Sequence, residues 1–142
     1  MDNVGIVVND LKVAIAFFTE LGMELVGEMT VTGDWVDRVV GLRGVESDIA
    51  LMQTPDGHSR IEFSKFKSPE ATTPDLKHEQ MNTLGKHRVM FAVDDIKDTV
   101  ARLRTHGAEL VGEIVQYKDA YLLCYLRGPE SIIVALAEEI GT

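Results

Sequence analysis

The chain has 142 residues, 45% of them hydrophobic and 26% charged, which suits one globular domain with its own core. A net charge of −9, with 23 acidic against 14 basic residues and no Lys/Arg stripe, sets nucleic acid aside as a partner. No apolar run has the length of a membrane span, and the opening MDNVGIVVND lacks the basic region and cleavage site of a secretory signal.

The predicted elements alternate in a simple order. An apolar strand, VGIVV, ends at Asn9-Asp10, and Asp10 reads as the N-cap of a helix, its carboxylate accepting free N–H groups of the first turn. The helix LKVAIAFFTEL places Val13, Ile15, Ala16, Phe17 and Leu21 broadly on one side, and Gly22 fits the left-handed position after its last turn. ELVGE then leads into a second strand. The segment TGDWVDRVVGLRGVE follows, with a short helical turn expected in it and Trp35 either covering a cavity or filling a core. Two strands, DIALMQ and SRIEFSKF, close the series around the turn TPDGH. Residues 67–84 are polar, Pro-containing and aperiodic, as a linker or flap would be.

The remainder repeats the first part. Shifted by 85 residues, Val4 falls on Val89, Val8 on Val93, Asp10 on Asp95, Lys12 on Lys97, Ala16 on Ala101 and Gly22 on Gly107. ELVGE at 24–28 falls on ELVGE at 109–113 without a gap. Agreement over that length points to an internal duplication. The second copy reads as a strand VMFAV, an N-cap Asp95, a helix carrying Ile96, Val100 and Leu103, and final strands YLLCYL and SIIVAL around RGPE. The unit is β-α-β-β-β, used twice, with modules at about 1–66 and 85–142 of a single α+β domain.

The stretches NVGIVVNDLKVAIAFFTELGMELV, PDGHSRIEF, RVMFAVDDIKDTVARLRTHGAEL and YLRGPESIIVAL, in that order and duplicated, resemble the vicinal oxygen chelate superfamily. That group includes glyoxalase I, bleomycin-resistance proteins, extradiol dioxygenases and methylmalonyl-CoA epimerase. The resemblance implies paired half-barrels around one small-molecule cavity, and a homodimer. It also implies a divalent metal held by His or Glu side chains from the first and last strand of each unit. Those positions fall on Asn3 and Glu62 in the first unit and on Arg88 and Ala135 in the second. Only Glu62 is an ordinary ligand; a methyl group donates nothing, and a guanidinium is a permanent cation that repels a metal. No cofactor is therefore expected.

The alternative is one Zn, Ni, Mn or Fe ion on an altered set that uses Glu62 and His87. Alternation turns His87 away when Arg88 faces in, and a bulge would exchange the two. His78, in the linker, is a further substitute ligand or an exposed residue. His58 reads as a turn residue and His106 as a helix-end residue. Cys124 stands alone in an apolar run, which suits inert packing and a reducing cytoplasm.

If both face inward, Arg88 and Glu62 either form a structural ion pair or hold a ligand. In the second case Arg88 grips a carboxylate, phosphate or enolate oxygen, Asn3 adds a hydrogen bond, and Glu62 is a general base. Trp35, Tyr117, Tyr121 and Tyr125 are available as aromatic walls. Three functions stay open: ligand binding or sequestration, metal-independent lyase or isomerase chemistry, and a metal-dependent lyase or dioxygenase with an altered ligand set.

Overall fold

The computed structural model describes residues 1–75 and 79–141. They form two compact units, residues 1–74 and 75–142. The first contains β1 (Val4–Val7), α1 (Leu11–Glu20), β2 (Glu24–Thr32), α2 (Asp34–Val40), β3 (Glu46–Gln53) and β4 (Arg60–Ser68). The second contains β5 (Arg88–Ala92), α3 (Ile96–Arg104), β6 (Glu109–Leu110), β7 (Val115–Tyr117), β8 (Tyr121–Arg127) and β9 (Ile133–Glu139), with a 3-10 turn at Pro129–Ser131. β4 runs on through Lys67 and Ser68, the first residues of the expected connection.

Each unit has the same strand order. The first sheet runs β1-β4-β3-β2 and the second β5-β9-β8-β6, with β7 also paired to β8. In both, the first strand lies parallel to the last and every other pair is antiparallel. The helix boundaries follow from local chemistry. Asp10 accepts a hydrogen bond from the Val13 N–H at 3.1 Å, and Asp95 accepts one from the Asp98 N–H at 3.0 Å. Gly22 and Gly107 follow the two helices at φ of 102° and 86°, a region in which a side chain would be strained.

One helix packs on one face of each sheet. In the first unit Ala14, Phe17 and Phe18 are buried against Ala50, Met52, Ile61 and Phe63, with the Phe18 and Phe63 rings 5.0 Å apart. This corrects the expected helix face: Val13 is 46% exposed and Ala16 is also exposed. α1 is apolar nearly all round, and the stripe that meets the sheet is 14, 17, 18 and 21, the spacing that keeps side chains on one face. In α3 the buried residues are Ile96, Thr99, Val100 and Leu103, three of them as expected. α2 buries Val36 against Val31, Val45, Ile49 and Phe66.

The repeated word ELVGE marks an irregularity in both sheets. Leu25 pairs with Met52 but Gly27 with Leu51, so Val26 is an extra residue. In the second unit Leu110 pairs with Leu126 and Val115 with Leu123, so 111–114 lie opposite only Cys124 and Tyr125. The strand expected after the second ELVGE is therefore split into β6 and β7. Bulges of this kind bend a strand and increase its twist.

Replacing either cap by alanine, Asp10→Ala or Asp95→Ala, is expected to destabilise the protein by about 1 kcal/mol. Urea denaturation of the two variants checks this, with a lower midpoint and an unchanged slope as the outcome.

Candidate functional site

Because α1 and α3 take one face of each sheet, the opposite faces are the ones left for chemistry. Strand alternation and pairing assign their residues. In the first unit Gly5, Glu62, Leu51 and Gly27 form one row across β1, β4, β3 and β2. Glu62 lies half-buried in that row beside the bare backbone of Gly5, whose missing Cβ would meet no atom within 4 Å. α2 covers the far end of the same face, where Val36 meets Ile49 and Phe66. Trp35, on this helix, is 59% exposed. Asn3 lies just before β1, and its amide donates to the Asp2 carboxylate at 2.9 Å.

In the second unit the equivalent row is Met90, Ala135 and Tyr125. Met90 corresponds to Gly5 under the 85-residue shift, so Ala135 takes the place that Glu62 has in the first unit. Ala135 is fully buried. Arg88 begins β5 two residues before Met90, and its guanidinium carbon lies 5.5 Å from the centre of the Tyr125 ring. The Arg88 side chain is exposed and makes no hydrogen bond or ion pair among the described residues. Glu62 likewise has no ion-pair partner among them. Tyr121 shares the Tyr125 face of β8 two pairs along and is 41% exposed.

His87 is exposed and precedes β5. His58 is exposed in its turn, where its N–H donates to Asp56 at 2.9 Å. His78 lies outside the described residues. Cys124 is 4% exposed, and burial pushes its thiol above the ordinary range.

The donor set does not suit a divalent ion. Asn3 and Glu62 offer a neutral amide and one carboxylate, Arg88 a fixed positive charge, and Ala135 a buried methyl group. Among the described residues no three His, Cys, Asp or Glu side chains are grouped to hold a metal. A separate groove of about 650 Å3 lies beside the start of α1, lined by Asp10, Lys12, Glu28, Thr30, Asp48 and Lys65 among others. Its polar groups largely serve one another. Lys65 donates to the Asn9 carbonyl at 2.6 Å, and Thr30 to Asp48 at 2.6 Å. That hydroxyl, followed by Lys67, holds the Asp48 carboxyl below its usual range.

The signal missed in the sequence is the pairing of Arg88 with Tyr125. Alternation in YLLCYL puts Tyr121 and Tyr125 on one face, but only the strand register brings β8 to Arg88.

A βαβββ unit used twice, with its open-face positions on the first and last strands, defines a glyoxalase-like class of protein. The chain belongs to the Glyoxalase/Bleomycin resistance protein/Dioxygenase superfamily, whose family model matches residues 1–135. It is similar to the crystal structure of a glyoxalase family protein from Bacillus cereus, with 54% identity, a TM-score of 0.93, and coverage of 99% of this chain and 94% of that one. Two further structures share the fold. The trypanothione-dependent glyoxalase I of Leishmania major is 20% identical, with a TM-score of 0.65 over 98% of this chain and 86% of that one. A fosfomycin resistance protein from Listeria monocytogenes is 12% identical, with a TM-score of 0.63 over 100% of this chain and 90% of that one. No curated protein matches the chain. Among the described residues, no helix is long and apolar enough to cross a membrane.

The burial of Cys124 gives a direct check. Iodoacetamide at pH 8 is expected to leave the thiol of the folded protein unmodified and to label it stoichiometrically in denaturant, as read by intact mass. Rapid labelling of the folded protein would contradict the packing described.

Proposed function

We propose that the chain binds a small anionic molecule, without a metal, and that Arg88 is the residue that holds the anion. The observation that carries this is the state of Arg88. Its guanidinium is exposed, lies over the Tyr125 ring, and has no acidic partner among the described residues. A guanidinium pinned by an aromatic ring has part of its ordering cost already met, and its donors suit a carboxylate or phosphate by two parallel bonds. Sequestration of such a ligand needs nothing more.

A second reading, lyase or isomerase chemistry, is supported by Glu62. Its carboxylate stands half-buried on the open face of β4, beside glycine backbone and without an ionic partner among the described residues. Such a group would take a proton from a carbon next to a carbonyl. Atoms balance simply: the C–H bond breaks, its electron pair moves into an enolate, and the proton passes to Glu62 and returns to another carbon or to a leaving group.

Calorimetric titration with a panel of small carboxylates and phosphates tests the binding. Arg88→Met is expected to weaken the best binder about tenfold or more, the consequence of losing a charge-assisted hydrogen bond. Arg88→Lys keeps a charge but loses the fork, and falls between. Unchanged affinity in Arg88→Met would overturn the proposal. If the protein turns a bound compound over, Glu62→Gln is expected to abolish turnover and spare binding.

A further inference from the structure

The open face of the first unit is grooved. Its row of Gly5, Glu62, Leu51 and Gly27 has an exposed glycine at each end. A Cβ at either glycine would meet no atom within 4 Å. The next row on one side is Val7, Ser64, Ile49 and Met29, and α2 stands beyond it, packed on Ile49. This wall is mostly apolar and wet: Val7 is 54% and Met29 62% exposed. The next row on the other side is Arg60, Gln53 and Glu24. The sheet thus carries a trough four strands, or about 14 Å, long, with one apolar and one polar wall.

Arg60 is the cation of the polar wall. It precedes Glu62 by two residues on β4, so the two side chains leave the same face about 7 Å apart at their roots. The Arg60 side chain is half-buried and makes no hydrogen bond or ion pair among the described residues. The duplication supplies an internal control. The second-unit residues in the places of Gly5, Glu62 and Arg60 are Met90, Ala135 and Ile133, and the last two are buried. The βαβββ unit therefore folds without glycine, carboxylate or arginine at these places. All three occur together in the first unit.

A guanidinium offers a carboxylate two parallel donors. A carboxylate held on Arg60 brings the next few atoms of its molecule over Glu62, and an apolar chain beyond them lies along Leu51, Ile49 and Met29. We propose that the trough binds a short-chain oxo acid, its carboxylate on Arg60 and the C–H beside its carbonyl over Glu62. That C–H bond breaks, its electron pair moves into an enolate, and the proton passes to Glu62, exchanges with water and returns to the same carbon. The part given to Glu62 rests on the lyase or isomerase reading above. The trough and Arg60 depend neither on it nor on Arg88.

The probe is 2-oxohexanoate, titrated into 15N-labelled protein and followed by NMR. The backbone amides of Gly5 and Gly27 are expected to shift together. Arg60→Met is expected to weaken binding about tenfold or more, the scale of a lost charge-assisted hydrogen bond. Gly27→Val puts a side chain into the trough where no atom stands within 4 Å, and is expected to block binding while thermal melts show an intact fold. No shift of either glycine at millimolar acid, or affinity unchanged in both variants, would overturn the trough. Dependence on Arg88 in place of Arg60 would also overturn it, and would leave the Arg88 assignment standing. In D2O the protein is expected to speed exchange of the C3 protons over the protein-free rate, and Glu62→Gln to abolish this while binding persists. Binding without accelerated exchange would overturn Glu62 as the base and leave Arg60 as the carboxylate holder.

Discussion

A single helix laid on each sheet decides which side chains are free for chemistry. Phe17 and Phe18 of α1 sink into the face made by Ala50, Met52, Ile61 and Phe63, and Val100 and Leu103 of α3 are buried in the same way. Truncation of a ring such as Phe63 in such a layer costs about 3–5 kcal/mol, so strand register is held firmly. Since alternate residues of a strand point to opposite faces, fixing the buried set fixes the open set with it. Glu62 is on the open face because Ile61 and Phe63 are buried. Tyr121 and Tyr125 are on theirs because Cys124 and Leu126 are buried.

The duplicated word ELVGE has a structural meaning. In each unit the strand bulges within it, by one residue at Val26 and by a longer interruption after Leu110. The two units use the same place to bend the strand that leaves the first helix, and then diverge. The first continues as a single strand into α2, which closes one end of the open face with Val36. The second restarts as β7 and brings Tyr117 alongside Tyr121. The inherited part is the scaffold, while the residues offered to a ligand differ between copies: Glu62 against Ala135, Asn3 against Arg88, Leu51 against Tyr125.

What could be read from sequence was what depends on neighbours in the chain. Asp10 and Asp95 cap helices through bonds three residues away, and Gly22 and Gly107 end them by backbone conformation alone. The repeat made strand order accessible, and the family resemblance implied the equivalence of Glu62 with Ala135. The buried face of α1 was misjudged because Val13 through Phe18 are all apolar, leaving the periodicity little to discriminate; the sheet makes the choice. The split between β6 and β7, and the contact of Arg88 with Tyr125, depend on pairing between segments far apart in sequence, which no local pattern encodes.

A fixed positive charge, Arg88, stands where the family resemblance implies a metal ligand. The most direct measurement is elemental analysis of protein purified without a metal-binding tag or chelator, before and after incubation with zinc, nickel, manganese and iron(II). Protein that stays substantially metal-free throughout is the expected result. Near-stoichiometric, tightly held metal would contradict it, and would direct attention to Glu62 and His87 as ligands.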